Sequence, residues 1–411
     1  MTPETQLVTR ERTVVLVAPY SPEMALQNLG ASKKIQLIAS LLHRLGFTIH
    51  YVDSAHPHER FVAPIMGQRS HIEQTPVTLW RPFCTPSRKL GKLLNIYGSG
   101  RLFRKLAELQ PDLVWVYNSY AFEARLGLFL KRVTGARLVF ELEDLPLSRG
   151  RGLNPKPFLD QLHFRPLLSH ADLVTFVNAV LLRRHSGDIQ SGLLFPSILQ
   201  QALVDQTPGE KFQSPRHRVG YFGGLEVDKG VGTLLELPAL MPPNWVLVVT
   251  GVGTLTPALQ ALAERHPDRV EFHGSVSHAK VLELMQGCDV ILNPHTSIEG
   301  MHDGVFPFKV CEALASGALL VSTPLPSIDV DLQSCVLFFD GSAQGLADAL
   351  AHARSHHARC EAAIKAVREQ VCAQYGETQV LSQLQQAIGA LAPAGHTSRP
   401  LPSTPTHSTR T

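Results

Sequence analysis

The chain has no apolar run near the roughly 18 residues that a membrane-spanning helix needs. Its best short runs are Val14 to Val17 and Val246 to Val249. Glu4, Arg10, Glu11 and Arg12 precede the first of them, which does not fit a secretory signal, so the expected address is the cytoplasm. The six cysteines (Cys84, Cys288, Cys311, Cys335, Cys360 and Cys372) include no C-x-x-C pair. That excludes a zinc ribbon and a disulfide framework, and the thiols are expected to be small, inert, buried apolar groups. No RNA-binding signature or aromatic–basic stripe is present, so nucleic acid is not an expected partner.

What is there is ordinary globular material. The 411 residues are 44% hydrophobic and 18% charged, with a mean hydropathy of +0.02. That is enough apolar matter for two cores, and it excludes collagen, coiled coil and wholesale disorder. The net charge of +3 hides an asymmetry. Residues 1–200 carry 24 Lys and Arg against 15 Asp and Glu, a net +9; the remainder carries 14 against 20, a net −6. A basic first half fits peripheral contact with an anionic membrane or a phosphorylated substrate. Its charges are dispersed along the sequence, so a plain solvated surface fits equally.

Short apolar runs alternate with longer amphipathic ones. In the first half strands are expected at Thr13–Pro19, Thr48–Val52, Leu113–Tyr117, Arg137–Leu142 and Leu173–Val177, with helices at Ser32–Leu45, 101–109 and 121–134. Continuous apolar strands joined by helices mean parallel sheets covered on both faces. The rhythm breaks at 201–217, a polar stretch with Pro208, Gly209 and Pro215 that reads as a linker, and then restarts. Strands then fit Arg218–Phe222, Trp245–Thr250, Val270–His273, Val290–Asn293, Ala318–Ser322 and Val336–Phe339. Helices fit 231–237, 255–265, 278–287, 307–316 and 343–354, with one or two more over 360–391. The expected architecture is α/β, with two doubly wound, Rossmann-like domains facing a central cleft. They span 1–200 and 218–375; the tail at 392–411, rich in Pro, Ser and Thr, is expected to be disordered.

Two segments can carry chemistry. In Val219-Gly-Tyr-Phe-Gly223-Gly224-Leu-Glu-Val-Asp-Lys229-Gly230 a strand ends in two glycines, and a loop then presents a lysine before a helix. Glycines let a ligand approach the backbone, helix-start amides favour an anion, and a lysine adds a point charge suited to phosphate. An ordinary strand–turn–helix connection fits this segment alone equally well. It is not a P-loop, because Lys229 is followed by glycine.

The second segment is Asp303-Gly304-Val-Phe-Pro307-Phe-Lys309-Val-Cys-Glu312-Ala-Leu-Ala-Ser-Gly317. Pro307 suits a first helical position and Gly317 a stop. Glu312 sits in an apolar run and needs a partner, which a ribose diol supplies through two hydroxyls. Gly304 and Lys309 are placed for phosphate. The competing reading is a Lys309–Glu312 surface pair, three residues apart.

The order and spacing of these pieces resemble glycosyltransferase family 4, sugar transferases of the GT-B fold, over about residues 13–390. Gly223-Gly224-Leu225 and Lys229-Gly230 resemble the family's G-[RK]-L-x-x-x-K-G. Val270-Glu-Phe-His-Gly274 with 279–293, Lys309 to Gly317 and Leu320-Val-Ser-Thr-Pro resemble later blocks. Gly30-Ala31 before a helix and Ala171-Asp-Leu-Val-Thr-Phe-Val-Asn178 match the first half. The chain departs from the pattern in three places. Gly224 stands where an arginine or lysine is expected, Gly304 where the first Glu of E-x(7)-E would fall, and Glu143 where a histidine precedes Asp144.

The resemblance implies retaining hexosyl transfer from a nucleotide-sugar, with no obligatory metal and no cofactor, to a glycan, lipid-linked or small-molecule acceptor. In that picture Lys229 and Lys309 stabilise the leaving diphosphate, and Glu312 holds the ribose. Gly30, Gly223, Gly224 and Gly304 admit phosphates and sugar, and Asp303 or Glu299 binds donor hydroxyls. The acceptor lies near Glu143, Asp144 and Asn118, and a last helix at 376–391 returns to the first domain. Two alternatives stay open, a non-catalytic nucleotide- or glycan-binding scaffold and a nucleotide-sugar epimerase on the same fold.

Other signals are weaker. Gly251-Val-Gly253-Thr-Leu-Thr256 lacks the third glycine of a dinucleotide fingerprint and reads as a tight strand–helix turn. Asp329-Val-Asp331 reads as a loop, and His295 with His302 fits no zinc spacing.

Overall fold

The computed structural model of the chain describes residues 11–21, 29–143, 156–295, 309–324 and 334–391. In the first half the strands are β1 (Arg12–Ala18), β2 (Phe47–Asp53), β3 (Ile65–Ile72), β4 (Thr75–Arg81), β5 (Leu113–Tyr117), β6 (Arg137–Leu142), β7 (Leu173–Phe176) and β8 (Gly192–Leu194). They form one sheet in the order β3-β4-β2-β1-β5-β6-β7-β8, parallel except for β3 against β4. The helices among them are α1 (Leu29–Arg44), α2 (Arg88–Gly98), α3 (Gly100–Glu108), α4 (Ala121–Thr134), α5 (Lys156–His170) and α6 (Ala179–His185).

The second half holds β9 (His217–Phe222), β10 (Trp245–Thr250), β11 (Val270–Phe272), β12 (Val290–Asn293), β13 (Leu319–Ser322) and β14 (Val336–Phe338). All are parallel, in the order β11-β10-β9-β12-β13-β14. Its helices are α7 (Gln201–Asp205), α8 (Leu237–Leu240), α9 (Thr256–Arg265), α10 (His278–Gln286), α11 (Lys309–Ala315), α12 (Ala343–Tyr375) and α13 (Glu377–Ala390). Central strands are apolar throughout because helices cover both faces: β5 and β10 are buried at every residue.

Three aspartates just ahead of strands tie the sheets together. Asp112 before β5 accepts the Thr13 amide at 2.8 Å, Asp172 before β7 accepts that of Leu138 at 2.7 Å, and Asp289 before β12 accepts that of Arg218 at 2.9 Å. Each carboxylate satisfies an amide at the start of the neighbouring strand, so the Asp-Leu-Val and Asp-Val signals are structural.

The structure differs from the sequence reading in several elements. The β3–β4 hairpin was not expected, because β3 is a largely exposed edge strand of mixed polarity with no apolar periodicity to betray it. The helix expected at 231–237 is a 3-10 turn over Val231–Leu235 followed by α8. Pro238 at the helix start and two glycines upstream favour such a break. The helix expected to stop at 354 runs on to Tyr375 as the 33-residue α12. The polar stretch at 201–217 packs onto the second sheet: Lys211 donates to the carbonyls of Gln286 and Cys288, and Phe212 is buried beside Trp245. From α13, Val380, Leu384 and Ile388 join the core under β1 and β2, and Arg137 caps the Ile388 carbonyl at 2.9 Å.

Candidate active site

In the second sheet the chain runs outward from β9 through β10 to β11, then returns to lay β12 on the other side of β9. The loops after β9 and β12 therefore part in opposite directions and leave a crevice at their carboxyl ends, where open α/β sheets bind ligands. Gly223 closes β9 there. The carbonyl of Gly223 lies where a Cβ on Gly251 would sit, at 1.8 Å, so the Gly251 turn must be glycine to pack against this loop. Gly230, in a left-handed conformation with φ 71°, presses on the Pro294 carbonyl as closely. That contact sets Lys229 beside the end of β12.

Two lysines meet in this crevice. Lys229 Nζ lies 3.1 Å from His295 Nε2; with a charged lysine donating, that imidazole nitrogen accepts. His295 is buried, and its carbonyl accepts from Thr323. Lys309, on the first turn of α11, places Nζ 4.0 Å from the centre of the Tyr221 ring. The Tyr221 hydroxyl donates to the Gly224 carbonyl at 2.8 Å. Burial pushes the Lys309 ammonium down to about 7, and the Lys229 charge pushes the same way. Among the described residues neither lysine faces a carboxylate. Two adjacent cations held by a ring and an imidazole form a site for a multiply charged anion.

One turn further along α11, Glu312 is buried. Lys309 and Glu312 do not form the surface pair that their spacing allows, because the lysine turns to Tyr221 and the glutamate to α10. Its Oε1 lies 3.3 Å from His278 Nε2. Burial raises Glu312 to about 7, against the pull of Lys33. Burial also lowers His278 to about 4, with Lys33 adding to it. Both groups are thus driven toward their neutral forms, and the contact is a close approach of two neutral groups more than an ion pair. Lys33 belongs to α1 of the first half, so its charge reaches Glu312 across the cleft.

The facing wall is built around Lys34, which is 1% exposed. Its ammonium lies 2.9 Å from Glu141 Oε1, contacts Glu143, donates to the Phe195 carbonyl at 2.9 Å and sits 4.8 Å over the Phe195 ring. Glu141 also accepts from Trp115 Nε1 at 2.8 Å, and the Glu143 amide donates to Asn118 Oδ1. Asn118, with φ 63°, follows β5 at the point where the first sheet's strand order reverses. Glu143 is therefore held by a buried lysine.

Residues 216–356 match the family of glycosyl transferases group 1. A glycogen synthase from Thioalkalivibrio sulfidiphilus is 26% identical over 212 residues, covering 45% of this chain and 40% of that protein, so the chain matches less than half the length of this relative. Solved structures align over nearly the whole chain. Sucrose-phosphate synthase from Thermosynechococcus elongatus has a TM-score of 0.65 at 16% identity, covering 91% of this chain and 98% of its own. Anabaena Alr3699/HepE in complex with UDP has 0.63 at 16%, covering 92% and 100%. A UDP-forming alpha,alpha-trehalose-phosphate synthase from Burkholderia vietnamiensis has 0.58 at 14%, covering 92% and 100%. The fold is GT-B.

Within this GT-B frame the structure brings Gly223, Lys229, Lys309 and Glu312 to one crevice. Gly224 lies at its rim, exposed, with no atom within 4 Å of where a Cβ would stand. Gly30 falls in the first turn of α1. Glu143 stands on the opposite wall. Asp144, Asp303, Gly304, Glu299, Pro307, His302 and the Asp329-Val-Asp331 motif lie outside the described residues, as does the tail at 392–411. Sequence reasoning missed Lys34, Glu141 and His278, which reach the site from separate segments. It rejected His295 as a metal ligand and left it only as one of two histidines able to stand near a nucleotide; the structure puts it one residue past Pro294, against which the Lys229 loop packs. Among the described residues no three His, Cys, Asp or Glu side chains converge as metal ligands would, and no helix is long and apolar enough to cross a membrane.

Proposed function

We propose that the protein is a glycosyltransferase of family 4 type, moving a hexose from a nucleotide-sugar to a glycan, lipid-linked or small-molecule acceptor with retention. The observation that carries this reading is the pair Lys229 and Lys309, two cations side by side at the switch point of a GT-B domain with a buried carboxylate one helical turn away. A nucleotide diphosphate satisfies all three groups. Its phosphates lie against the ammonium groups, and the ribose hydroxyls donate to Glu312 in place of His278.

In the reaction the bond between the anomeric carbon and the phosphate oxygen breaks, and the leaving diphosphate keeps the electron pair. Fixed positive charge where that negative charge develops lowers the barrier, and lysines supply it without an obligatory metal or other cofactor. The acceptor hydroxyl oxygen bonds to the anomeric carbon, and its proton passes to the departing diphosphate. Asp303 would hold donor hydroxyls, and Gly30 and Gly304 would admit the sugar and phosphates. Glu143 and Asp144 would face the acceptor, with Lys34 fixing Glu143 in place. UDP is the first donor nucleotide to try, because Alr3699/HepE was solved with UDP and the Burkholderia protein is described as UDP-forming. We place the protein in the cytoplasm, with its basic first half in peripheral contact with an anionic membrane face.

A second reading, a scaffold that binds nucleotide without turnover, draws on the lock of Lys34 on Glu143, which leaves that carboxylate engaged. Calorimetry with UDP, GDP, ADP and NAD, with and without magnesium, tests the first reading. One diphosphate should bind without metal, and Lys229→Ala and Glu312→Ala should each weaken it by about 1–3 kcal/mol with the fold intact. Wild-type binding in both variants would remove the site assignment. Binding without sugar transfer to any acceptor class would favour the scaffold.

A further inference from the structure

Of the large apolar side chains exposed on the first half, Phe158 and Leu162 stand on α5, and three others share one helix. Leu90, Leu94 and Tyr97 are 50%, 46% and 63% exposed. They fall at i, i+4 and i+7 of the 11-residue α2, so they form one stripe along it. The opposite side of α2 is clamped to the body. A Cβ on Gly91 would come within 2.0 Å of the His56 ring, Asn95 donates to the Phe83 carbonyl, and Ile96 is in the core. The stripe therefore points outward by construction. Phe61, 79% exposed, lies in the adjoining loop. Arg88 of α2 donates to the Pro57 carbonyl of that loop and approaches Glu59 at 3.7 Å, and Val62 bridges Cys84 just ahead of α2.

Charge identifies the occupant. Between Glu73 and Glu108 there is no acidic residue, while Arg81, Arg88, Lys89, Lys92, Arg101, Arg104 and Lys105 fall in that interval. Arg81 is spent inside on Asp53. Lys89, Arg101, Arg104 and Lys105 are exposed on α2 and α3, Lys105 paired with Glu108 at 2.6 Å, and Arg125 stacks over the Tyr97 ring at 4.5 Å; Lys92 lies on the side of α2 away from the stripe. Exposed cations thus stand on α2 itself and on the helix that follows it, and one more lies over the Tyr97 ring of the stripe. An apolar stripe flanked by cations matches a surface with a negative outer layer over an apolar interior. A neutral protein groove offers no counter-charge to Lys89, Arg101 and Arg104.

We propose that α2, with Phe61 and the cations of α3, docks the protein on an anionic lipid bilayer, α2 lying in the plane of the headgroups. This deepens the membrane reading above and does not depend on sugar transfer. The test is co-sedimentation of the full chain with vesicles of phosphatidylcholine alone or mixed with phosphatidylglycerol. Wild type should partition onto the anionic vesicles only, more weakly as salt rises. The triple variant Leu90→Ser, Leu94→Ser, Tyr97→Ser and the double variant Lys89→Glu, Arg104→Glu should each lose about tenfold or more in partition. UDP binding, unchanged in both, reports an intact fold. If wild type binds but both variants bind equally well, α2 is not the contact and the broader membrane reading survives. If wild type ignores anionic vesicles, both fall. A wild-type dimer abolished by the triple variant, without vesicle binding, would make the stripe a contact between copies and overturn the proposal.

Discussion

At the scale of single residues, the candidate site is a set of groups held away from their ordinary charge states. Lys309 is lowered to about 7 by burial and Lys229, and Glu312 is raised to about 7 by burial. Diphosphate recognition needs the lysine charged and the carboxylate ionised. Above pH 7 Lys309 loses its proton and the phosphate contact; below pH 7 Glu312 gains one and loses an acceptor for the ribose. Affinity for UDP-glucose, a diphosphate diester with no titrating group nearby, should therefore peak near pH 7 and fall on both sides, by up to about tenfold per pH unit. Glu312→Gln should abolish the acid limb and keep the alkaline one. Calorimetric titrations across the range check this, and a profile flat on both sides would refute the coupling. Lys229, Lys309 and Glu312 were legible in the sequence because glycines and helix boundaries frame them. His278 and Lys34 were not: a histidine at a helix start and a lysine within a helix look like solvated residues until distant segments bury them.

At the scale of elements, the loop after β9 shows which departures from the family pattern the fold would tolerate. Gly230 has no latitude, because its φ is positive and the Pro294 carbonyl occupies the space of a side chain. Gly224 is different. It is exposed, it is not among the glycines with positive φ, and nothing stands within 4 Å of its would-be Cβ. Gly224→Arg, restoring the cation that the resemblance expects, should fold with an unchanged melting temperature and tighten diphosphate binding by roughly three- to tenfold. Unchanged affinity would mean that the rim of the crevice does not face the phosphates. The strands on either side of the site were readable as continuous apolar runs. The exposed edge strand β3 and α2 were not, since neither turns a regular apolar face inward: β3 is of mixed polarity, and α2 buries Gly91 and Asn95 beside Ile96.

At the scale of the whole molecule, the chain ends by crossing back. The last helix, α13, places Val380, Leu384 and Ile388 in the core beneath β1 and β2, although it follows directly on α12, which packs against the second sheet. Leu384 is fully buried, and Leu384→Ala should cost about 2–5 kcal/mol by leaving a cavity. The loss should appear as faster amide exchange in β1 and β2 with β9 and β10 unaffected. Equal loosening of both sheets would mean that the two halves unfold as one.

The sequence by itself determined the parallel α/β class and two doubly wound sheets, and it singled out the two lysines and the carboxylate that the fold brings to the crevice. Those features depend on local spacing: apolar runs of strand length, glycines at turns, and a charged residue set in an apolar helix. Only the tertiary structure decided that His295 holds Lys229, that His278 occupies Glu312, that Lys34 locks Glu143, and that an apolar stripe of α2 faces outward with Arg125 over its Tyr97 ring. Each of these joins residues from segments far apart in the chain or lying on one face of the fold. Their chemistry comes from burial and proximity, which no spacing along a sequence specifies.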